Sequence, residues 1–130
     1  MPVPITALYA GLLGIVFVVL EAPIGVLRTR ANVSLYDGGN KPLAVAIRRH
    51  ANFVEHVPLA LLLLALLELN GAGHGLLHGL GAALLIARVL HPFGLDYDNM
   101  RKPLRGIGAF TTILVTLIAA VALVWRALAG

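Results

Sequence analysis

A chain of 130 residues that is 59% hydrophobic and only 12% charged lies far from the composition of a water-soluble domain, which is about 45–50% apolar and about 25% charged. The length suits a single domain, and four apolar spans of about 20 residues with short loops would fill it; a soluble globular enzyme is excluded. The formal charge of +4 comes from basic residues belonging to apolar helices, which argues against nucleic acid as a partner, and the lack of cysteine excludes disulfides, thiolate metal sites and a cysteine nucleophile.

The first span is expected over residues 5–27. Its N-terminus lacks a basic segment, and the apolar run passes through Glu21 and Pro23 without a small-residue cleavage site. It therefore reads as a retained span, not a signal peptide. Gly11 and Gly14 would let another helix approach closely, and Pro23 should kink the far end. Glu21 is placed either to pair with an arginine of a neighbouring helix or to edge a cavity. Arg28 and Arg30 follow the span, and a loop rich in turn residues runs through Asp37-Gly38-Gly39-Asn40.

The second span is expected over residues 43–69. Its first half carries Arg48-Arg49-His50-Ala51-Asn52-Phe53-Val54-Glu55-His56-Val57-Pro58, and Pro58 should bend the helix just after that cluster. The third span, residues 74–93, offers Gly75, Gly79, Ala82, Ala83 and Ala87 as a thin packing face and ends at Arg88, His91, Pro92 and Gly94. A polar loop with Tyr97 leads to the fourth span, residues 104–128, with Pro103 suited to a first helical turn. Lysine and arginine gather in the first and third connections and the span ends beside them. The second connection has none, and the C-terminal end has only Arg126. The positive-inside rule therefore puts both polar loops in the cytoplasm and both termini outside.

A charged side chain at the centre of a membrane helix costs roughly 2.5–3.5 kcal/mol on insertion scales, so the cluster in span two is the strongest functional signal. At about 100° per residue, Arg48, Asn52 and Glu55 fall within roughly 60° of one another. His56 lies at the edge of that stripe, Arg49 on the neighbouring face, and His50 farther round. A guanidinium that can hold a carboxylate, an amide that donates and accepts and a carboxylate that can take an ammonium suit a zwitterionic, peptide-like ligand. The plain alternative is an ion pair between Arg48 and Glu55 that only neutralises charge.

Arg88 and His91 share a face at the end of span three, where Arg88 could instead snorkel to the interface. Arg101 and Arg105 flank Pro103, and Arg105 sits in the first turn of span four. The free N–H groups and the helix dipole add positive potential there, which favours an anion, including a thiolate. The plain alternative for Arg101 and Arg105 is a positive-inside anchor, which is how Lys102 reads. His74 and His78 are four residues apart, but no third ligand accompanies them, so no metal site is expected. No serine-hydrolase, P-loop or dinucleotide motif occurs; any nucleophile is expected to arrive with the ligand.

The pattern Arg48-x-x-x-Asn52-x-x-Glu55-x-x-Pro58 in a second span resembles the signature of the MAPEG family, the membrane-associated proteins in eicosanoid and glutathione metabolism. Ala87-Arg88-Val89-Leu90-His91 is similar to the end of that family's third helix, and Arg101-Lys102-Pro103-Leu104-Arg105 to the start of its fourth. The wording His50-Ala51-Asn52-Phe53-Val54-Glu55-His56-Val57-Pro58 resembles most the small bacterial branch. The resemblance covers nearly the whole chain, residues 1–130.

It implies an all-α integral membrane protein, a four-helix transmembrane bundle assembling as a homotrimer in the bacterial inner membrane. Glutathione, a co-substrate, would lie between neighbouring subunits near the cytoplasmic face. By position Arg48, Asn52 and Glu55 would hold it, with His56 where some members have a tyrosine. Arg88 would contribute from span three, Arg101 from the last loop, and Arg28 or Arg30 from span one. Arg105 matches the arginine that stabilises the glutathione thiolate. Opposite charge favours the ionised thiol, and the apolar helix faces would admit a lipophilic electrophile from the lipid bilayer. The implied activity is glutathione transfer, with peroxidase activity as an extension. The chain departs from the family pattern at Leu95, where many members have a tyrosine for which Tyr97 could substitute, and at Gly106, where the prostaglandin-forming member has a serine. The alternative is a non-catalytic membrane scaffold of the same fold. A small transporter is disfavoured, because neither inverted repeats nor broken half-helices are visible.

Overall fold

In the computed structural model, which describes residues 1–130, four helices account for nearly all of the chain: α1 Pro4–Ala31, α2 Lys41–Leu69, α3 His74–Gly94 and α4 Pro103–Ala129. All four are long and apolar enough to cross a membrane. The protein is a multi-pass membrane bundle.

Local chemistry sets the ends. Prolines start α1, α2 and α4, where a missing N–H costs nothing. Asn40 caps α2 by accepting the Leu43 N–H at 3.0 Å. Asn32, at φ 52°, closes α1 in the left-handed conformation.

The helices continue unbroken through Pro23, Pro58 and Pro92. Two expectations shift. α1 runs one turn beyond residue 27 and carries Arg28 and Arg30 on the helix, because arginine stems can follow an apolar helix while their heads reach water. A side-chain carbon added at Gly11, Gly14, Gly75 or Gly79 would meet nothing within 4 Å, so none of these glycines serves helix packing inside one chain.

The close approaches lie elsewhere. At Gly81 an added carbon would fall on the Tyr9 ring, and at Gly94 on the Arg105 backbone nitrogen. At Gly108 it would lie 2.7 Å from the His91 Cβ and 2.9 Å from the Ala87 carbonyl oxygen. These glycines let α3 settle against α1 and α4.

α1 and α4 each touch both α2 and α3 but not each other, so they occupy opposite corners of the bundle. α3 is the most enclosed helix. Leu13, Leu64, Leu67, Leu77 and Leu84 fill the core toward the end that holds both termini. Ile15, Val19, Leu62, Ile86, Phe110, Ile113, Leu117 and Val124 face outward, as lipid-facing side chains do.

Candidate functional site

The other end of the bundle, beside the two long loops, holds polar side chains where apolar packing would be expected. Its frame is the α3–α4 contact. Gly94 and Gly108 bring the last turns of α3 against the first turns of α4, which sets His91 near Arg105. Arg88, Arg105 and His56 all lie close enough to act on the His91 ring electrostatically.

Arg88 is fully buried and does not snorkel. Its Nη2 donates to Asn52 Oδ1 at 2.8 Å, and Nη1 reaches Thr112 Oγ1 at 3.5 Å. The guanidinium carbon lies 5.8 Å from the centre of the Phe53 ring, within cation–π range. No carboxylate of the chain pairs with this cation. Arg88 Nε and His91 Nδ1 are enclosed without hydrogen-bond partners. Unpartnered buried polar atoms cost about 1–3 kcal/mol each, so this half carries a stability burden that packing alone does not explain.

The rest of the α2 stripe faces outward. Arg48 Nη1 pairs with Glu55 Oε1 at 3.3 Å, and both side chains are about half exposed. The neutralising pair suggested by the spacing therefore exists. Glu55 and His56 line a groove of about 350 Å³ between α2 and α4, together with Leu59, Thr112, Ile113 and Leu117. Arg105, in the first turn of α4, makes no side-chain hydrogen bond or ion pair within the chain, nor does Arg101.

A second groove, about 640 Å³, opens between α1 and α2 and is lined by Glu21, Arg28 and His50. His50 packs against Phe17 at 4.8 Å between ring centres, and its Nε2 is enclosed without a partner. Arg28 Nη1 donates to the Tyr36 carbonyl at 2.7 Å and so ties down the first loop. Arg30 is exposed with no partner. Arg49 Nη2 donates to the Leu95 carbonyl at 3.2 Å and anchors the start of the last loop.

In that loop Lys102 bonds Asp96 at 2.9 Å. This contact, with the Asp98 and Asn99 N–H groups, holds the Asp96 carboxyl down from its ordinary 3.8 to about 2. Lys41 bonds Asp98 at 3.3 Å and sits 4.9 Å from the centre of the Tyr97 ring. Tyr97 thus packs with the start of α2. Gly106 faces open space.

The structure brings Asn52, Glu55, His56, Arg88, His91 and Arg105 into one region between α2, α3 and α4. It leaves Arg28 on a different corner, and Arg30 and Arg101 outside. Glu21 lines the α1–α2 groove and makes no ion pair, which is the cavity-edge alternative of the sequence reading; sequence reasoning missed Thr112. Hydroxyls at Thr112 and Thr116 inside an otherwise apolar span were the available signal.

The fold and this polar half define a multi-pass membrane bundle with a buried arginine near its loop end. The MAPEG family model matches residues 6–125, and the chain belongs to that family. It is similar to the inner membrane protein YecN of Escherichia coli strain K12, 33% identical over 116 residues that span 89% of this chain and 88% of that protein. The YecN of Escherichia coli O6:H1 matches to the same extent. No solved structure matches the chain.

Proposed function

We propose that the protein is a membrane-bound glutathione-dependent transferase of a bacterial inner membrane, with its loop end toward the cytoplasm. The observation that carries this reading is Arg105: an arginine in a helix first turn, unpaired within the chain, beside a region already rich in arginine and histidine. A fixed cation lowers the pKa of a nearby thiol. The thiol proton leaves to water, and the thiolate sulfur attacks the electrophile. A carbon–sulfur bond forms as a leaving group departs, or, for an unsaturated acceptor, as a proton from water completes the addition. The α2–α4 groove, with Leu59, Ile113 and Leu117, would admit an apolar substrate from the bilayer.

A homotrimer fits this reading. α1 and α4 do not touch, so a ligand reaching both Arg28 and Arg105 would have to lie between copies. Glu21, Arg48 and Glu55 are exposed on the flanks of apolar helices, where an interface between copies would shield them from lipid, an environment that disfavours charge.

Purified protein with glutathione and a generic aryl halide electrophile tests the proposal. The expected result is turnover above the uncatalysed rate, with thiolate absorbance at neutral pH. Arg105→Ala should lower turnover about a hundredfold or more, as loss of one fixed charge-stabilising donor does, while the melting temperature holds. No turnover and no thiolate signal would replace this reading with a non-catalytic scaffold, which the self-contained Arg48–Glu55 pair favours.

A further inference from the structure

Asn52 is bonded on one side and free on the other. A guanidinium can only donate, so the 2.8 Å contact from Arg88 Nη2 fixes the amide oxygen of Asn52 toward the protein interior. The amide nitrogen then points the other way. It makes no hydrogen bond within the chain, it is not enclosed, and Asn52 itself is only half-buried. Thr112 reinforces the arrangement. Its hydroxyl proton goes to the Gly108 carbonyl at 2.7 Å, so toward Arg88 that oxygen can only accept. Arg88 is thereby held between two acceptors, Asn52 Oδ1 and Thr112 Oγ1, with both terminal nitrogens engaged and its surface buried.

We infer that Arg88 is a positioning residue: it locks the Asn52 amide with its NH₂ outward, so that the site reads a hydrogen-bond acceptor, a carboxylate or peptide carbonyl, on the ligand. This rests on the transferase reading, in which the ligand is glutathione. Without the lock the amide could turn by 180° and offer its oxygen, which repels a carboxylate. The preference for an acceptor at this point is thus set from a third helix, by a residue that acts through Asn52.

Asn52→Asp separates positioning from mere structural support. An aspartate keeps an acceptor for Arg88 and gives the buried guanidinium a charge partner, so the variant should fold and melt no lower than the wild type. Outward it offers a second acceptor in place of the donor. Glutathione binding to detergent-solubilised protein, read by calorimetry, should weaken about tenfold to a hundredfold, the range for losing a hydrogen bond to a charged group. Arg88→Lys, still a pure donor, should keep the affinity within about threefold of wild type. Glutathione diethyl ester should bind the wild type less well than glutathione, and Asn52→Asp should shrink that difference. Wild-type binding with an equal affinity for Asn52→Asp would overturn the inference alone. Failure of the wild type to bind glutathione would overturn the transferase reading, and the inference with it.

Discussion

The two ends of the bundle treat polar groups in opposite ways. At the end holding the termini, Glu68, Tyr9 and Arg126 each find a partner on another element. Glu68 of α2 accepts the Ile5 and Thr6 N–H groups at 2.9 and 2.7 Å, satisfying the free start of α1. The Tyr9 hydroxyl lies 3.1 Å from His78 Nδ1. Arg126 Nη1 donates to the Asn70 carbonyl at 2.9 Å. At the loop end, Arg49 Nε, His50 Nε2, Arg88 Nε and His91 Nδ1 are enclosed and unpartnered; the fifth such atom, Thr6 Oγ1, lies at the other end beside Glu68. Water cannot repair such deficits within the hydrocarbon. One end is organised for stability. The other keeps unmet hydrogen-bonding capacity, as a binding region does at the expense of stability.

Glycine substitutions give the largest test of that contrast. An alanine carbon at Gly94 would fall on the Arg105 backbone nitrogen, whereas at Gly81 it would fall on the Tyr9 ring. Backbone cannot step aside, and a ring can turn at some cost. Gly94→Ala should therefore lower stability by about 3 kcal/mol or more and Gly81→Ala by about 1–2 kcal/mol, following the usual cost of overpacking. Gly106→Ser, facing open space, should leave stability unchanged. Denaturation of detergent-solubilised protein ranks the three. Equal losses at Gly94 and Gly81 would show that the α3–α4 contact is no tighter than the α1–α3 contact.

The sequence makes the spans legible and the partnerships much less so. Hydropathy locates each helix to within about four residues; α1 differs most, because Arg28 and Arg30 look like loop residues yet ride on the helix. The spacing of Arg48 and Glu55 also foretells their contact, since both belong to one helix. Arg88 is different. Its main partner, Asn52, is 36 residues away on another helix, and no periodicity within α3 reveals it. The glycines fail for the same reason. Gly75 and Gly79 have the same spacing as a packing motif, but a neighbour on that face is a property of the whole bundle. Gly94 and Gly108, with no such pattern, meet the backbone or side chains of the facing helix.

A change at the end holding the termini gives a middle-sized effect and should leave the loop end untouched. Glu68→Gln removes the charge and leaves one oxygen to accept from the start of α1. The loss should be about 1–2 kcal/mol, below the range for a fully buried charged hydrogen bond because Glu68 is partly exposed. Thermal denaturation should show the lower melting point, and glutathione calorimetry should show an unchanged affinity. A weakened affinity would mean that the two ends are coupled, and the contrast between them would dissolve.

The smallest effect belongs to the loop between α3 and α4 at the polar end. Asp96 is partly exposed, and its carboxyl is held down to about 2 by Lys102 and by the Asp98 and Asn99 N–H groups. A carboxyl with a lowered folded pKa stabilises the fold above its unfolded value, and that contribution is lost as pH falls through the folded value. The loop should therefore keep its contacts at neutral pH and release them between about pH 4 and pH 2. Lys102→Met should move the Asp96 titration, followed by its carboxyl carbon chemical shift, up toward the ordinary 3.8. Global stability at neutral pH should barely change, since water screens an ion pair this open to solvent. An Asp96 titration that stays near 2 in that variant would assign the lowering to the two backbone N–H groups. The loop would then be held by its own turn, and the polar end would owe its closure to backbone geometry instead of the lysine.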